Sequence, residues 1–293
     1  MEYEIITYES PNKHIKKFVF KCSKDQASFE TSSFFVEDQN IHDICVSTMA
    51  GCYLGCLICS NTYSELPFQR ILSAEEIIFQ VDLAIKKRND INQKTRLRIG
   101  YMGNGEPLLN FTNTIKSINY FINIKLYPLN QIAISTIGIN IHHLKKLLNY
   151  GNNNKPGIKL QLSLYSMNEK IRRQLLPSAP DISTIINYLD EYAIGSGIPV
   201  RYNYPLIKNL NDSEEQLNKL KDFLLENKDL RRIKFSAYNP FPGVGYEPLT
   251  DHKIITISEW FENQGISVDR FFGDRESTFY ASCGQMRSVV LNK

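Results

Sequence analysis

The chain has 293 residues, 42% of them hydrophobic and 22% charged, with a formal net charge of +3 and a pI of about 8.4. That length allows one large α/β domain with a sizeable core, and the mild basic excess is compatible with an RNA partner without arguing for one. No apolar run reaches a membrane span, and six cysteines in a chain of this size do not read as a secreted disulfide framework.

The N-terminus, Met1-Glu-Tyr-Glu-Ile-Ile, has neither a basic n-region nor a cleavage site. Residues 16 to 36 read as a β-hairpin, with Lys17 to Cys22 as one strand, a turn, and Ser28 to Val36 as the return. Cys22 has no partner in sequence and reads as structural. Lys13, Lys16, Lys17, Lys21 and Lys24 read either as a solvated face or as a modest phosphate-facing one. Ile41 to Ser47 predicts a strand running into a cysteine-rich loop. Ser73-Ala-Glu-Glu76 is a capping box, and Ile77, Ile78, Val81 and Ile85 recur after it at helical spacing. Strands predicted at Leu97 to Met102, Gln131 to Ser135, Ile158 to Leu164, Val200 to Leu206 and Arg232 to Ala237 alternate with further helices. These helices cover Phe111 to Ile124, Ile141 to Tyr150, Asp181 to Tyr192, Asp212 to Asn227 and Ile254 to Phe261. Ser166-Met-Asn-Glu169 reads as a second capping box, and Ile266 to Phe271 as an edge strand.

Six strand-then-helix units with no linker predict a parallel α/β barrel or partial barrel. Residues 1–40 then form an N-terminal extension and hairpin, and 41–293 the barrel with a C-terminal active-site segment. In such folds the chemistry sits at the C-terminal ends of the strands, and the unusual residues fall there. Cys52, Cys56 and Cys59 have a C-x3-C-x2-C spacing, with Gly51 and Gly55 beside them. Thiolates hold iron–sulfur clusters, and three of them leave one iron of a four-iron cluster open. A zinc site would need a fourth ligand near by, and Ser60 and Asn61 are poor ones. The plain alternative is three buried cysteines that pack as small hydrophobes.

The second strand ends in Tyr101-Met-Gly-Asn-Gly-Glu-Pro107, where glycines let backbone approach a ligand and Glu106 can receive an ammonium group. The other strand ends carry Ser135-Thr136, Ser163-Leu164-Tyr165 and Asn239-Pro-Phe-Pro-Gly243. Each alone reads as a cap or turn former; together they bring polar groups to one barrel mouth. Cys283, before Gly284, is either a nucleophilic thiol on an exposed turn or a buried free cysteine.

With these residues in hand the chain resembles the RlmN/Cfr family of radical S-adenosylmethionine (SAM) RNA methyltransferases. The resemblance runs from about Lys16 to the end. It is carried by Cys45-Val-Ser-x4-Cys52-x3-Cys56-x2-Cys59, Met102-Gly-x-Gly-Glu-Pro-Leu-Leu-Asn-Phe111, Ser135-Thr136-x-Gly138, Asn211-Asp-Ser213, Phe241 and Ala281-x-Cys283-Gly-Gln, in family order. It implies a partial (β/α)6 radical SAM barrel preceded by a short β-hairpin. It implies a [4Fe-4S] cluster on Cys52, Cys56 and Cys59, and SAM lined by Gly105, Glu106, Ser135, Ser163, Leu164, Tyr165 and Asn239. It also implies that Cys283 is methylated, that Cys45 resolves it, and that an adenine ring carbon in rRNA or tRNA receives the methyl group. Such a carbon is no nucleophile, so the methyl group reaches it through a radical formed on methyl-Cys283. Glu30, in Phe29-Glu-Thr, falls where the family has a glutamate thought to serve as base; a surface carboxylate is the other reading. An electron donor such as flavodoxin or ferredoxin, a monomer and the reducing cytoplasm are implied as well.

Two departures stand out. The family usually carries a helical domain before the hairpin, where only about fifteen residues stand here, so another RNA or a small aromatic substrate is the competing expectation. The fourth strand ends in Ser-Leu-Tyr165 where the family commonly has histidine. A non-catalytic RNA-binding or iron–sulfur scaffold would need neither Cys45 nor Cys283.

Overall fold

The computed structural model describes residues 2–11, 13–124, 127–151, 157–241, 243–272 and 287. The chain opens with an antiparallel ribbon of β1 (Tyr3–Glu9), β2 (Ile15–Cys22) and β3 (Ser28–Val36). The expected hairpin is β2–β3. The strand β1 was not read from the sequence, although Ser10-Pro11-Asn12 directly after it is a turn signal. β3 pairs antiparallel with β4 (Ile41–Val46), so the ribbon continues directly into the main sheet.

After β4 come the two-residue strands β5 (Met49–Ala50) and β6 (Arg70–Ile71), which pair with each other, with the short helix α1 (Ser60–Tyr63) between them. Then follow α2 (Ala74–Lys86), β7 (Arg96–Tyr101), α3 (Phe111–Asn123), β8 (Leu129–Thr136), α4 (Ile141–Gly151) and β9 (Ile158–Ser163). The chain continues through α5 (Glu169–Leu175), α6 (Ile182–Ser196), β10 (Val200–Leu206), α7 (Glu214–Glu226), β11 (Arg231–Ala237), α8 (Asp251–Asn263) and β12 (Val268–Phe271). From β4 onward the strand order is β4-β7-β8-β9-β10-β11-β12, every pair parallel. These are the six strand–helix units and edge strand read from the sequence.

The sheet is curled. Asp43 on β4 feels the charges of Arg201 on β10 and Lys234 on β11, four and five strands away in the sheet order. Flat strands at their usual spacing would set those residues roughly 19–24 Å apart. Curling also explains an unusual pattern, since parallel strands covered on both faces read as continuous apolar runs. Here they alternate. Ile44, Val46, Ile99, Tyr101, Leu160, Leu162, Tyr202 and Phe235 are sealed in the core under the helices, while Asp43, Cys45, Arg98, Gln161, Asn203 and Lys234 face the lumen.

Local details correct three readings. The Ser73 capping box is present, with Ser73 Oγ accepting from Glu76 N and Glu76 Oε2 accepting from Ser73 N. The second box is not. Asn168 caps α5 by accepting from Lys170 N and Ile171 N, while Glu169 instead accepts from Ile182 N at the start of α6. Ser213, one residue after the expected Asp212, caps α7. Lys17 belongs to no solvated face: it is fully buried, and it shares its strand face with Ile15 and Val19, an alternation that could have shown it. Among the described residues no helix is long and apolar enough to cross a membrane.

Candidate functional site

The C-terminal ends of the parallel strands are covered by a second apolar cluster, in which Leu54 of the cysteine loop packs with Ile137, Leu175, Leu176, Ile207, Tyr238 and Val244. Cys52 and Cys56 lie against this cluster. The loop is tied down by backbone bonds from Leu57 N to Leu175 O and from Cys59 N to Cys56 O, and by Ser178 Oγ donating to Leu54 O. Gly51 makes the turn into it with φ +79°, and a Cβ there would stand 2.7 Å from the Pro67 carbonyl oxygen.

The three thiols are half-buried neighbours. Burial pushes the Cys52 thiol up to about 11, with Cys59 and Glu106 acting in the same direction. Burial also pushes Cys56 up, reinforced by Cys59, Cys52 and Glu106. Among the described residues no three His, Cys, Asp or Glu side chains gather tightly enough for a single ion. A multi-iron cluster takes one thiolate per iron corner and so spreads its ligands more widely, and its cationic irons would hold the sulfurs deprotonated. The donor set fits such a cluster.

The turn after β7 closes over the same loop. Gly105 adopts φ +97°, and a Cβ on it would run into Met49 at 2.5 Å. Glu106 is 3% exposed. Its Oε1 accepts from Leu108 N (3.1 Å) and its Oε2 from Ile137 N (3.0 Å). Burial raises its carboxyl from the ordinary 4.5 to about 7, against the pull of the Thr136 hydroxyl and those two N–H groups. A buried carboxylate of this kind, with lone pairs left over, fits the ammonium end of an amino acid.

The other residues singled out in the sequence stand around the same mouth. Ser135 Oγ accepts from Gln161 Nε2 (3.0 Å) and lies 3.5 Å from Ser163 Oγ. Leu164 is fully buried in the core, so only its backbone can face a ligand. Tyr165 has φ +63°, a left-handed conformation that a bulky residue adopts only when its surroundings impose it. Asn211 imposes it, donating from Nδ2 to Tyr165 O and Pro205 O. Asn239 is half-buried two residues past β11. Cys45 is half-buried on the lumen face of β4, and a Cβ on Gly100, its partner on β7, would sit 3.6 Å from the Cys45 sulfur. The missing side chain leaves that sulfur room.

Below this layer the lumen is charged. Asp43 pairs with Arg98, and Asp269 with Arg201 and Arg232. Lys159 stands among Arg201, Arg232 and Arg98, and burial together with these charges lowers its ammonium, while Asp269 opposes them. Among the described residues, Arg98, Lys159, Arg201, Arg232 and Lys234 thus outnumber Asp43 and Asp269 inside the barrel.

Glu30 is no surface carboxylate. It is 1% exposed and ion-paired with Lys17 at 3.0 Å. Cys283 lies outside the described residues; Arg287, four residues on, is described and buried. Sequence reasoning missed a polar hub beneath the site. Asn104 Nδ2 donates to Asn61 Oδ1, its backbone N–H donates to Ser47 Oγ, and Gln80 brackets the Ser47 backbone. Asn104 was visible as the middle of a glycine turn, but nothing local marks Gln80 or Arg287.

The family model of the radical SAM superfamily matches residues 46–220. The chain is 31% identical to the dual-specificity RNA methyltransferase RlmN of Nautilia profundicola, over 99% of this chain and 82% of that protein. It is 27% identical to the RlmN of Aliarcobacter butzleri, over 99% and 81% respectively. Among solved structures, a radical SAM methyltransferase from Sphaerobacter thermophilus superposes with a TM-score of 0.82 at 24% identity, over 97% of this chain and 80% of that one. At that identity the likeness speaks for the fold.

Proposed function

The chain belongs to the radical SAM superfamily and, within it, to the RlmN family of RNA methyltransferases, and we propose that it methylates a ring carbon of an adenine in RNA through a methyl-cysteine on Cys283. Cys52, Cys56 and Cys59 would hold a [4Fe-4S] cluster. Gly105, Glu106, Ser135, Ser163, Leu164, Tyr165 and Asn239 would line the SAM site, Leu164 through its backbone. When bound there, cluster and SAM supply one-electron chemistry and the methyl group.

The chain's own residues divide the remaining work. Glu106, as a carboxylate, holds the ammonium end of SAM against the strand ends. Leu54 and its apolar neighbours keep water from the cysteine loop. Cys283 carries the methyl group as a thioether. Glu30 would take the ring proton. Cys45 later attacks the Cys283 sulfur as a thiolate: the disulfide forms as the bond from that sulfur to the substrate-borne carbon breaks, and the carbon takes the electron pair and a proton as product leaves. An electron donor such as flavodoxin or ferredoxin, and a monomer acting in the cytoplasm, complete the proposal.

The observation that carries it is Cys45. The three-cysteine loop accounts for a cluster without it, yet this fourth sulfur faces the lumen one short loop before the others, with Gly100 leaving space beside it. The test is anaerobic incubation of cluster-loaded protein with SAM, reductant and RNA, followed by nucleoside mass spectrometry. Methyladenosine carrying its methyl group on a ring carbon is expected; unmodified RNA would overturn the proposal.

A further inference from the structure

Arg172 on α5 is fully buried, and no step of the proposed chemistry uses it. Its guanidinium forks between two backbone carbonyls: Nη2 donates to Ile137 O at 3.0 Å and Nη1 to Pro180 O. Among the described residues its Nε–H has no acceptor. Burial lowers the guanidinium, against the pull of Glu169, Asp181 and Cys56. A cation bonded to neutral carbonyls is a costly filling for a core, so packing alone does not account for it. What the fork grips is the turn after β8, which it joins to the entry of α6 at Pro180. Ile137 O is held by Arg172, while Ile137 N donates to Glu106 Oε2 at 3.0 Å. One residue earlier the Thr136 hydroxyl also favours the Glu106 carboxylate, and it accepts from Gly138 N at 2.9 Å. The groups that Arg172 steadies are therefore the ones that hold Glu106.

We infer that Arg172 is a positioning residue for SAM, acting through Ile137 to hold Glu106 in the orientation that receives the ammonium end. This rests on Glu106 holding SAM, as proposed above. A carboxylate offers about four lone-pair sites. Leu108 N takes one on Oε1 and Ile137 N one on Oε2, and donors on opposite oxygens set the plane of the group. Leu108 belongs to the same turn as Glu106 and moves with it. Ile137 and Thr136 come from the end of β8, so they alone refer the carboxylate to the neighbouring strand of the barrel mouth. A displacement of roughly 1 Å is enough to spoil such a site. The planar guanidinium fork takes two carbonyls at a fixed spacing, which a flexible ammonium cannot do. Because the side chain is sealed from the surface, it reaches a bound ligand only through the turn it holds.

The test is a double-mutant cycle of SAM affinity on full-length protein, compared at equal iron content, with Arg172→Met, Glu106→Gln and their combination. A second readout is hydrogen exchange at the Ile137 and Gly138 amides of SAM-free protein. Arg172→Met is expected to bind SAM about tenfold more weakly and to lose at least about tenfold of the exchange protection at those amides. In the Glu106→Gln background the same substitution is expected to change SAM affinity by less than about twofold, because the group it positions is gone. If Arg172→Met does not fold, Arg172→Lys, which keeps the charge but lacks the fork, enters the same cycle with the same expectations. Equal losses of affinity in both backgrounds would overturn the inference, since damage spread through the fold adds to the loss of Glu106. Wild-type affinity without the fork would overturn it as well. Should Glu106→Gln itself bind SAM normally, the reading of Glu106 fails instead. Exchange at Ile137 then still shows whether Arg172 holds the turn, and wild-type protection there would overturn that too.

Discussion

Glu106 accepts a hydrogen bond from the backbone N–H of Ile137 at 3.0 Å, joining the turn after β7 to the end of β8. The carboxyl that makes this bond is raised to about 7 by burial, so its charge changes within the working pH range. Only the carboxylate attracts an ammonium group. SAM affinity is therefore expected to rise as pH increases from 6 to 8, and Glu106→Gln to bind SAM about 10- to 100-fold more weakly with that dependence flattened. The folding linkage has the opposite sense. The folded state keeps a proton that the unfolded chain releases above its ordinary 4.5, so Glu106 subtracts stability as pH rises towards 7, by on the order of 3 kcal/mol in full. Melting of SAM-free protein should show Glu106→Gln gaining on the wild type across that window. Parallel melting curves and identical SAM titrations would show that the carboxyl does not titrate there.

Two glycines of the cysteine loop separate conformation from space. Gly51 and Gly55 both have positive φ, but a Cβ on Gly51 meets the Pro67 carbonyl at 2.7 Å while one on Gly55 meets nothing within 4 Å. Gly55→Ala is expected to cost about 1 kcal/mol of backbone strain. Gly51→Ala adds a clash with rigid backbone and is expected to cost about 2–4 kcal/mol and to lower iron incorporation. Thermal melts and iron analysis of the two variants check this, and equal losses would contradict it.

The contrast between Glu106 and Glu30 shows how far the sequence carried. Glu106 was singled out because glycines precede it at a strand end about forty residues after the cysteine loop, although the turn taken alone is a weak signal. Glu30 was placed by family position alone, and its burial was invisible, since its partners Lys17 and Arg287 come from another strand and from 257 residues away. The six strand–helix units were readable because each has its own period. The continuity of β3 with β4 was not, because strand pairing is decided by registers no single segment contains. The Asn104–Ser47–Gln80 hub joins three elements through side chains of ordinary type, and no local spacing announces it.

The cysteine loop gives the next prediction. Replacing Cys52, Cys56 or Cys59 with alanine is expected to remove the iron and SAM cleavage together, since a cluster held by three thiolates does not survive on two. Cys45→Ala is expected to keep its iron. Iron and sulfide content of anaerobically purified protein, with the visible absorption of the cluster, gives the answer. Unchanged iron in any of the first three variants would remove that cysteine from the ligand set.

The last prediction separates the two remaining cysteines, which the proposal gives unequal tasks. If Cys283 carries the methyl group, Cys283→Ala can form neither methylated protein nor product, although cluster and SAM site remain. If Cys45 only resolves, Cys45→Ala is still methylated at Cys283 and still adds to the substrate. It then stalls, because the thiolate that should attack the carbon-bound sulfur is gone. A covalent protein–RNA adduct is therefore expected to accumulate in Cys45→Ala and to be absent from Cys283→Ala. Denaturing gels with labelled RNA and mass spectrometry of the peptide containing Cys283 measure both. The lumen position of Cys45 beside Gly100 makes the prediction sharper, because Gly100→Ala puts a methyl group 3.6 Å from the Cys45 sulfur. That variant is expected to slow resolution and raise the steady level of the same adduct without abolishing turnover. Normal turnover by Cys45→Ala, or identical behaviour of the Cys45 and Cys283 variants, would require a different mechanism for this chain.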